Sequence, residues 1–130
     1  EGDSLYEPLG LAGNLQPLMP EYSAGTVISA FQVVRLSGGN LRICDATNVA
    51  HSGQAIGIAT QGLALGSLHA PRRFGLLSDA AWDWNPALPI YAGGGGSLTQ
   101  SLAGLAFALP VATAINPQTI FVTFQTEIRL

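Results

Sequence analysis

The sequence predicts an all-β domain, a small barrel or sandwich of short strands joined by glycine-rich hairpins. Two observations predict it. Short runs of β-branched and aromatic residues recur at regular spacing, and such residues suit a pleated, half-buried surface. Helix signals are poor, because the alanine- and leucine-rich stretch 101–114 carries Gly104 and Pro110, which limit any helix there to a turn or two.

The elements follow in chain order. Residues 1–25 contain Pro8, Pro17 and Pro20 and glycines at 2, 10, 13 and 25, which interrupt both helix and strand. They read as an extended arm. Its apolar residues, among them Leu5, Tyr6, Leu9 and Met19, suit a neighbouring subunit's surface better than water. Residues 26–130 form the β domain. A strand is predicted over 26–36. Ser37, Gly38, Gly39 and Asn40 then give a hairpin turn, since glycine and asparagine reach positive φ cheaply. A return strand follows over 41–44, with Leu41 and Ile43 on one face. Residues 45–54 are a polar loop, and 55–60 a short buried-type strand. Gly62 and Gly66 bracket a turn before strands at 67–69 and 73–77, around Pro71.

Residues 82–100 read as an aromatic anchor, a strand ending at Ala92, a turn of four glycines and a second strand. Residues 119–130 are the clearest strand. Ile120, Val122, Phe124, Ile128 and Leu130 share one parity, and Thr123, Gln125, Glu127 and Arg129 the other. Phe121 breaks the pattern, which marks it as a residue that meets a partner. Residues 33–41 also line up with residues 90–98, so two related hairpin units are expected.

Composition narrows the function. Apolar residues make up 48% of the chain and charged residues only 10%, against a usual charged share of about 25%. So little charge implies surface hidden against other subunits. No run of 18 apolar residues is present to span a bilayer. There is no lysine, and five arginines against eight carboxylates give a net charge of −3, which argues against nucleic-acid binding. The Arg72 and Arg73 pair reads as solvated or interfacial, with an anion site as the alternative. Cys44 is the only cysteine, so neither an intrachain disulfide nor a zinc cluster is expected. The absence of an initial methionine suggests processing or a longer product.

Candidate chemistry is thin. The run Gly93 to Gly96 lacks the lysine and following helix of a phosphate-binding loop. Asp79 and Asp83 flank Trp82 and are the nearest thing to a glycosidase pair, but turn capping explains them as well. Asp45, His51 and Ser52 share one loop, and Ser67 and His69 another, without a nucleophile-elbow motif. No catalytic residue, cofactor or metal is expected. Trp82 and Trp84 fall on one face of an extended segment. They read as packing or interface anchors, with contact to a sugar ring as the alternative.

Trp82, Trp84 and Pro86 in a W-x-W-x-P pattern, Pro89 to Tyr91, then Gly96, Leu98, Thr99 and Gln100, resemble a pattern of small virion proteins of tailed bacteriophages and gene transfer agents. The closing Thr119, Ile120, Phe121 and Val122, and the upstream Val33, Val34, Gly39, Gly57, Ile58 and Ala59, are similar to pieces of phage capsid-cement and fibre-type domains. The resemblance covers roughly residues 26–130. It implies a non-enzymatic particle protein, a homotrimer that decorates the head or builds a spike or fibre by contacting capsid or other virion proteins. Localisation would then be the virion surface, with neither nucleic acid nor membrane as partner. A host-glycan-binding domain is the alternative. Trp82, Trp84, Tyr91, Asp83 and Phe121 are the interface or glycan candidates.

Overall fold

A computed structural model describes residues 20–130, and most of the predicted arm therefore lies outside the described residues. Twelve strands are present among them. Strand β1 (Tyr22–Ser23) pairs with β5 (Leu68–His69). A three-stranded antiparallel sheet has the order β3-β2-β4, made of Asn40–Ile43, Val33–Ser37 and Ala55–Ile58. A five-stranded antiparallel sheet has the order β6-β11-β10-β7-β8. Its strands are Phe74–Ser78, Thr119–Thr123, Pro110–Asn116, Pro89–Ala92 and Leu98–Thr99. A last pair joins β9 (Phe107–Ala108) to β12 (Ile128–Arg129). The domain is all-β and sandwich-like; the sheets do not close, so the barrel alternative falls.

Strand alternation builds the layers. Val33 and Val34 are consecutive and both fully buried. Successive side chains point to opposite faces, so the three-stranded sheet must be covered on both sides. Val33, with Ile58, packs into a core shared with Ile90, Val111, Ile120 and Val122 of the five-stranded sheet. Val34, with Leu41, packs into a second cluster with Ala24, Ile28, Ala59 and Leu63. Full burial of each such side chain contributes about 1.5–3 kcal/mol. Tyr22–Ser23 thus belongs to the domain and not to the arm, because the chain there covers the second face of the small sheet.

The first hairpin is as expected. Gly38 (φ +61°) and Gly39 (φ +82°) occupy both central turn positions, and register runs from Ser37 opposite Asn40 to Val34 opposite Ile43. Two expectations need correction, both of them strand bounds. The strand predicted from residue 26 starts only at Val33, because the chain turns at residues 29–32. There the Ser29 N–H donates to Gln32 Oε1 at 2.7 Å, and Phe31 holds a positive φ of 68°. The stretch 101–114 holds no helix. Its alanines enter β10, where Ala112 and Ala114 lie flat against the core. The strand predicted over 119–130 ends at Thr123. The Gln125 N–H turns to the Pro110 carbonyl at 3.0 Å, and Glu127 accepts from Ser52 Oγ and, at 2.9 Å, from the Gly53 N–H. Ile128 and Leu130, placed inside by parity, are exposed.

The two hairpin units share a strand order. In the first, β2 lies between its hairpin partner β3 and the later β4. In the second, β7 lies between β8 and the later β10. Their turns differ, since Gly94–Gly96 forms a short 3-10 turn in place of two glycines alone.

Candidate functional site

The segment 79–84 is tied to the turn between β10 and β11. The Asp79 N–H donates to the Gln118 carbonyl at 3.0 Å, and the Trp84 N–H to the Pro117 carbonyl at 2.9 Å. These bonds fix the backbone and aim both tryptophans at the main core, against which they pack half-buried. Their ring centroids are 6.0 Å apart, with planes inclined by 56°. Trp82 also meets Phe31 at 4.7 Å and 58°. Phe31 comes from the turn that precedes β2, and its N–H donates to the Ala59 carbonyl at 2.6 Å.

Together these rings form the wall of a cleft of about 340 Å³. Ala30, Gln32, Ser97 and Leu98 complete it, and none of the lining residues is charged. Gln32 is held at both ends, accepting from Ser29 and donating from Nε2 to the Gly95 carbonyl at 2.9 Å. Ser97 Oγ donates to the Gly94 carbonyl at 2.8 Å. Two features carry a free-energy cost. Phe31 is the one non-glycine residue at positive φ among the described residues, a conformation costing roughly 1–3 kcal/mol. The buried Trp84 Nε1–H has no acceptor, which costs about 1–3 kcal/mol.

The cleft joins Trp82 and Trp84 but not the other candidates. Asp83 is exposed, and Tyr91 and Phe121 sit half-buried on the outer face of the five-stranded sheet. Phe31 and Gln32 were missed from the sequence, where they read as mid-strand residues.

That outer face is the second feature. Cross-strand register puts Phe74, Leu76 and Ser78 of β6 beside Thr123, Phe121 and Thr119 of β11, and Thr113 of β10 between Phe121 and Pro89. Residues directly opposite share a face. No strand position on it is charged. Phe74 packs edge-on against Phe121 at 4.9 Å, while Leu76 remains 57% exposed.

The remaining polar groups serve the backbone. Arg72 donates to the Leu76 carbonyl at 2.8 Å and Arg73 to the Ile56 carbonyl at 3.1 Å, while Arg73 also lies 5.1 Å from the Phe124 ring centre. Both guanidinium groups thus satisfy strand carbonyls. Asp79 accepts from the Ala81 N–H at 3.0 Å, a turn cap. His51 Nδ1 accepts from the Asp45 N–H at 2.9 Å, and Ser52 is bonded to Glu127, so the loop's serine and histidine do not face each other as nucleophile and base. Burial lowers the His51 and His69 pKa values, and the Thr47 hydroxyl and N–H hold the Asp45 carboxyl below its usual value. Burial pushes the Cys44 thiol up to about 11. Among the described residues no cluster of three or more His, Cys, Asp or Glu could hold a metal, and no helix is long and apolar enough to cross a membrane.

What fold and site define is a sandwich-like β domain with an uncharged sheet face and a neutral aromatic cleft. No protein family, characterised protein or solved structure matches the chain.

Proposed function

We propose that the chain is a non-enzymatic structural protein of a phage or phage-like particle. It decorates or stabilises the head, or forms part of a spike or fibre, at the virion surface. It self-associates, as a homotrimer, and contacts capsid or other virion proteins. The observation that carries this reading is the outer face of the five-stranded sheet. Phe74, Leu76, Phe121 and Ile115 offer apolar area, and Thr113, Thr119 and Thr123 offer hydroxyls, with no charge to solvate. Larger apolar patches on a soluble chain mark contact sites. Low overall charge and the resemblance in residues 26–130 support the same reading, and repeated copies on a shell add avidity to weak contacts.

The test is the mass of the purified chain in solution, followed by co-sedimentation with particle shells lacking surface proteins. Wild type should be a trimer and should pellet with the shells. Leu76→Glu should shift it to monomer and reduce pelleting, with the β-rich circular dichroism retained. A wild-type monomer that leaves the shells bare ends the proposal.

A further inference from the structure

We infer that the cleft formed by Phe31, Trp82 and Trp84 binds one ring of a neutral sugar. Its volume, about 340 Å³, lies at the lower end of small-ligand sites. The three rings are inclined by 58° and 56°, so they make a concave corner and not a flat plate. An aromatic face complements the C–H face of a pyranose, and the corner lets two rings touch one sugar. The polar complement is a hydroxyl-binding set. Gln32 keeps a second amide hydrogen beyond its bond to Gly95, and Ser97 Oγ keeps its lone pairs.

Two other ligand classes fit less well. An anionic ligand finds no cation, because no lining residue is charged and Arg72 and Arg73 are held by backbone carbonyls elsewhere. A proline-rich peptide needs aromatic ridges spaced to its turn of about 9 Å, whereas these centroids lie 4.7 and 6.0 Å apart. Phe31 adds an independent observation. A bulky side chain at φ +68° is strained, and the strain places its ring against Trp82 at the cleft wall. Strain of this kind collects at ligand clamps. The cleft shares no residue with the uncharged sheet face, so the inference stands apart from the assembly proposal.

The test is a tryptophan-fluorescence titration of the full chain with cellotetraose, maltotetraose and laminaritetraose, each to about 10 mM, a range that covers weak sugar affinities. Tetragalacturonate and a proline-rich decapeptide are the comparison ligands. At least one neutral tetrasaccharide should give a saturable change that Trp84→Phe weakens about fivefold and Trp82→Ala at least tenfold. Trp84→Phe keeps a ring in the core and removes only the N–H and part of the stacking face, so it remains informative if the alanine variant fails to fold. Saturation by none of the three sugars overturns the inference. So does equal affinity in wild type and Trp84→Phe, or binding confined to the uronate or the peptide.

Discussion

Substituting Gly96 by alanine tests whether the glycine run is a packing device or only a flexible turn. Gly96 has φ +80°, and a Cβ there would lie 2.6 Å from Ile43 Cγ2 and 3.2 Å from the Val33 carbonyl. Its neighbour Gly95 has φ +63° with nothing within 4 Å. A left-handed alanine costs about 1–2 kcal/mol at either position. Overpacking adds about 1–3 kcal/mol at Gly96 alone. Gly96→Ala should therefore cost about 2–5 kcal/mol, against about 1–2 for Gly95→Ala. Urea denaturation followed by circular dichroism reads the difference directly, and each kcal/mol should also lower Tm by about 4 °C. Ile43→Ala deletes the clashing methyl, so in that background the Gly96→Ala penalty should shrink. Equal destabilisation by the two glycine variants would refute the reasoning, because the hairpins would then not be pressed together at Gly96.

Other outcomes follow from single sites. Ile90→Ala, at the fully buried centre of the main core, should lose about 2–5 kcal/mol in the same urea experiment. Cys44 is buried with its pKa raised to about 11, so an aromatic disulfide reagent at pH 8 should label it only after urea unfolding. Stability should fall on acidification. His51 and His69 have folded pKa values below their unfolded values, so below about pH 6.5 the unfolded chain binds more protons. Asp45 acts in the same direction lower down, its contribution being lost as pH falls through its depressed folded value. Midpoints in urea should drop as the pH is lowered from about 7.5 to about 5.5, across the reference histidine value of about 6.5, and His69→Gln should flatten that slope. An undiminished slope in the double variant His51→Gln with His69→Gln would contradict it. Tyr91→Arg, which puts a charge on the outer sheet face, should weaken self-association while leaving the unfolding midpoint nearly unchanged.

Local chemistry was legible where local chemistry decides. Gly38 and Gly39 set a turn that few other residues permit, and the hairpin register followed. The alternation of Ile120 and Val122 gave the buried face of β11 correctly. Elsewhere partners far along the chain decided. Residues 26–32 have strand composition, yet the Phe31 N–H is claimed by Ala59 and the chain turns. Parity persists to Leu130, but Glu127 is claimed by the loop at Ser52 and Gly53, so the strand breaks and its end pairs with β9. The tryptophans of the cleft announce themselves in sequence. Phe31 and Gln32 lie some fifty positions upstream, and no local signal links them to Trp82.

The two hairpin units explain why an uncharged face is left open. Residues 33–41 align with residues 90–98, and β2 and β7 hold the same place in the order of their sheets. Val33 and Ile90, at matching positions, meet in one core. The next pair, Val34 and Tyr91, points the other way. Val34 is fully buried, because the chain from Tyr22 to Ile28 and the loop around Leu63 lie over it. Tyr91 has no such cover among the described residues and remains half-buried. The second unit thus presents, uncovered, the same kind of face that the first unit buries within its own chain. A face built to the pattern of a buried one, with hydroxyls and apolar groups but no charge, is most stable when something equally uncharged lies on it. An uncharged surface on a neighbouring subunit meets that condition without any like-charge contact, which is why self-association is the physical centre of the proposed role.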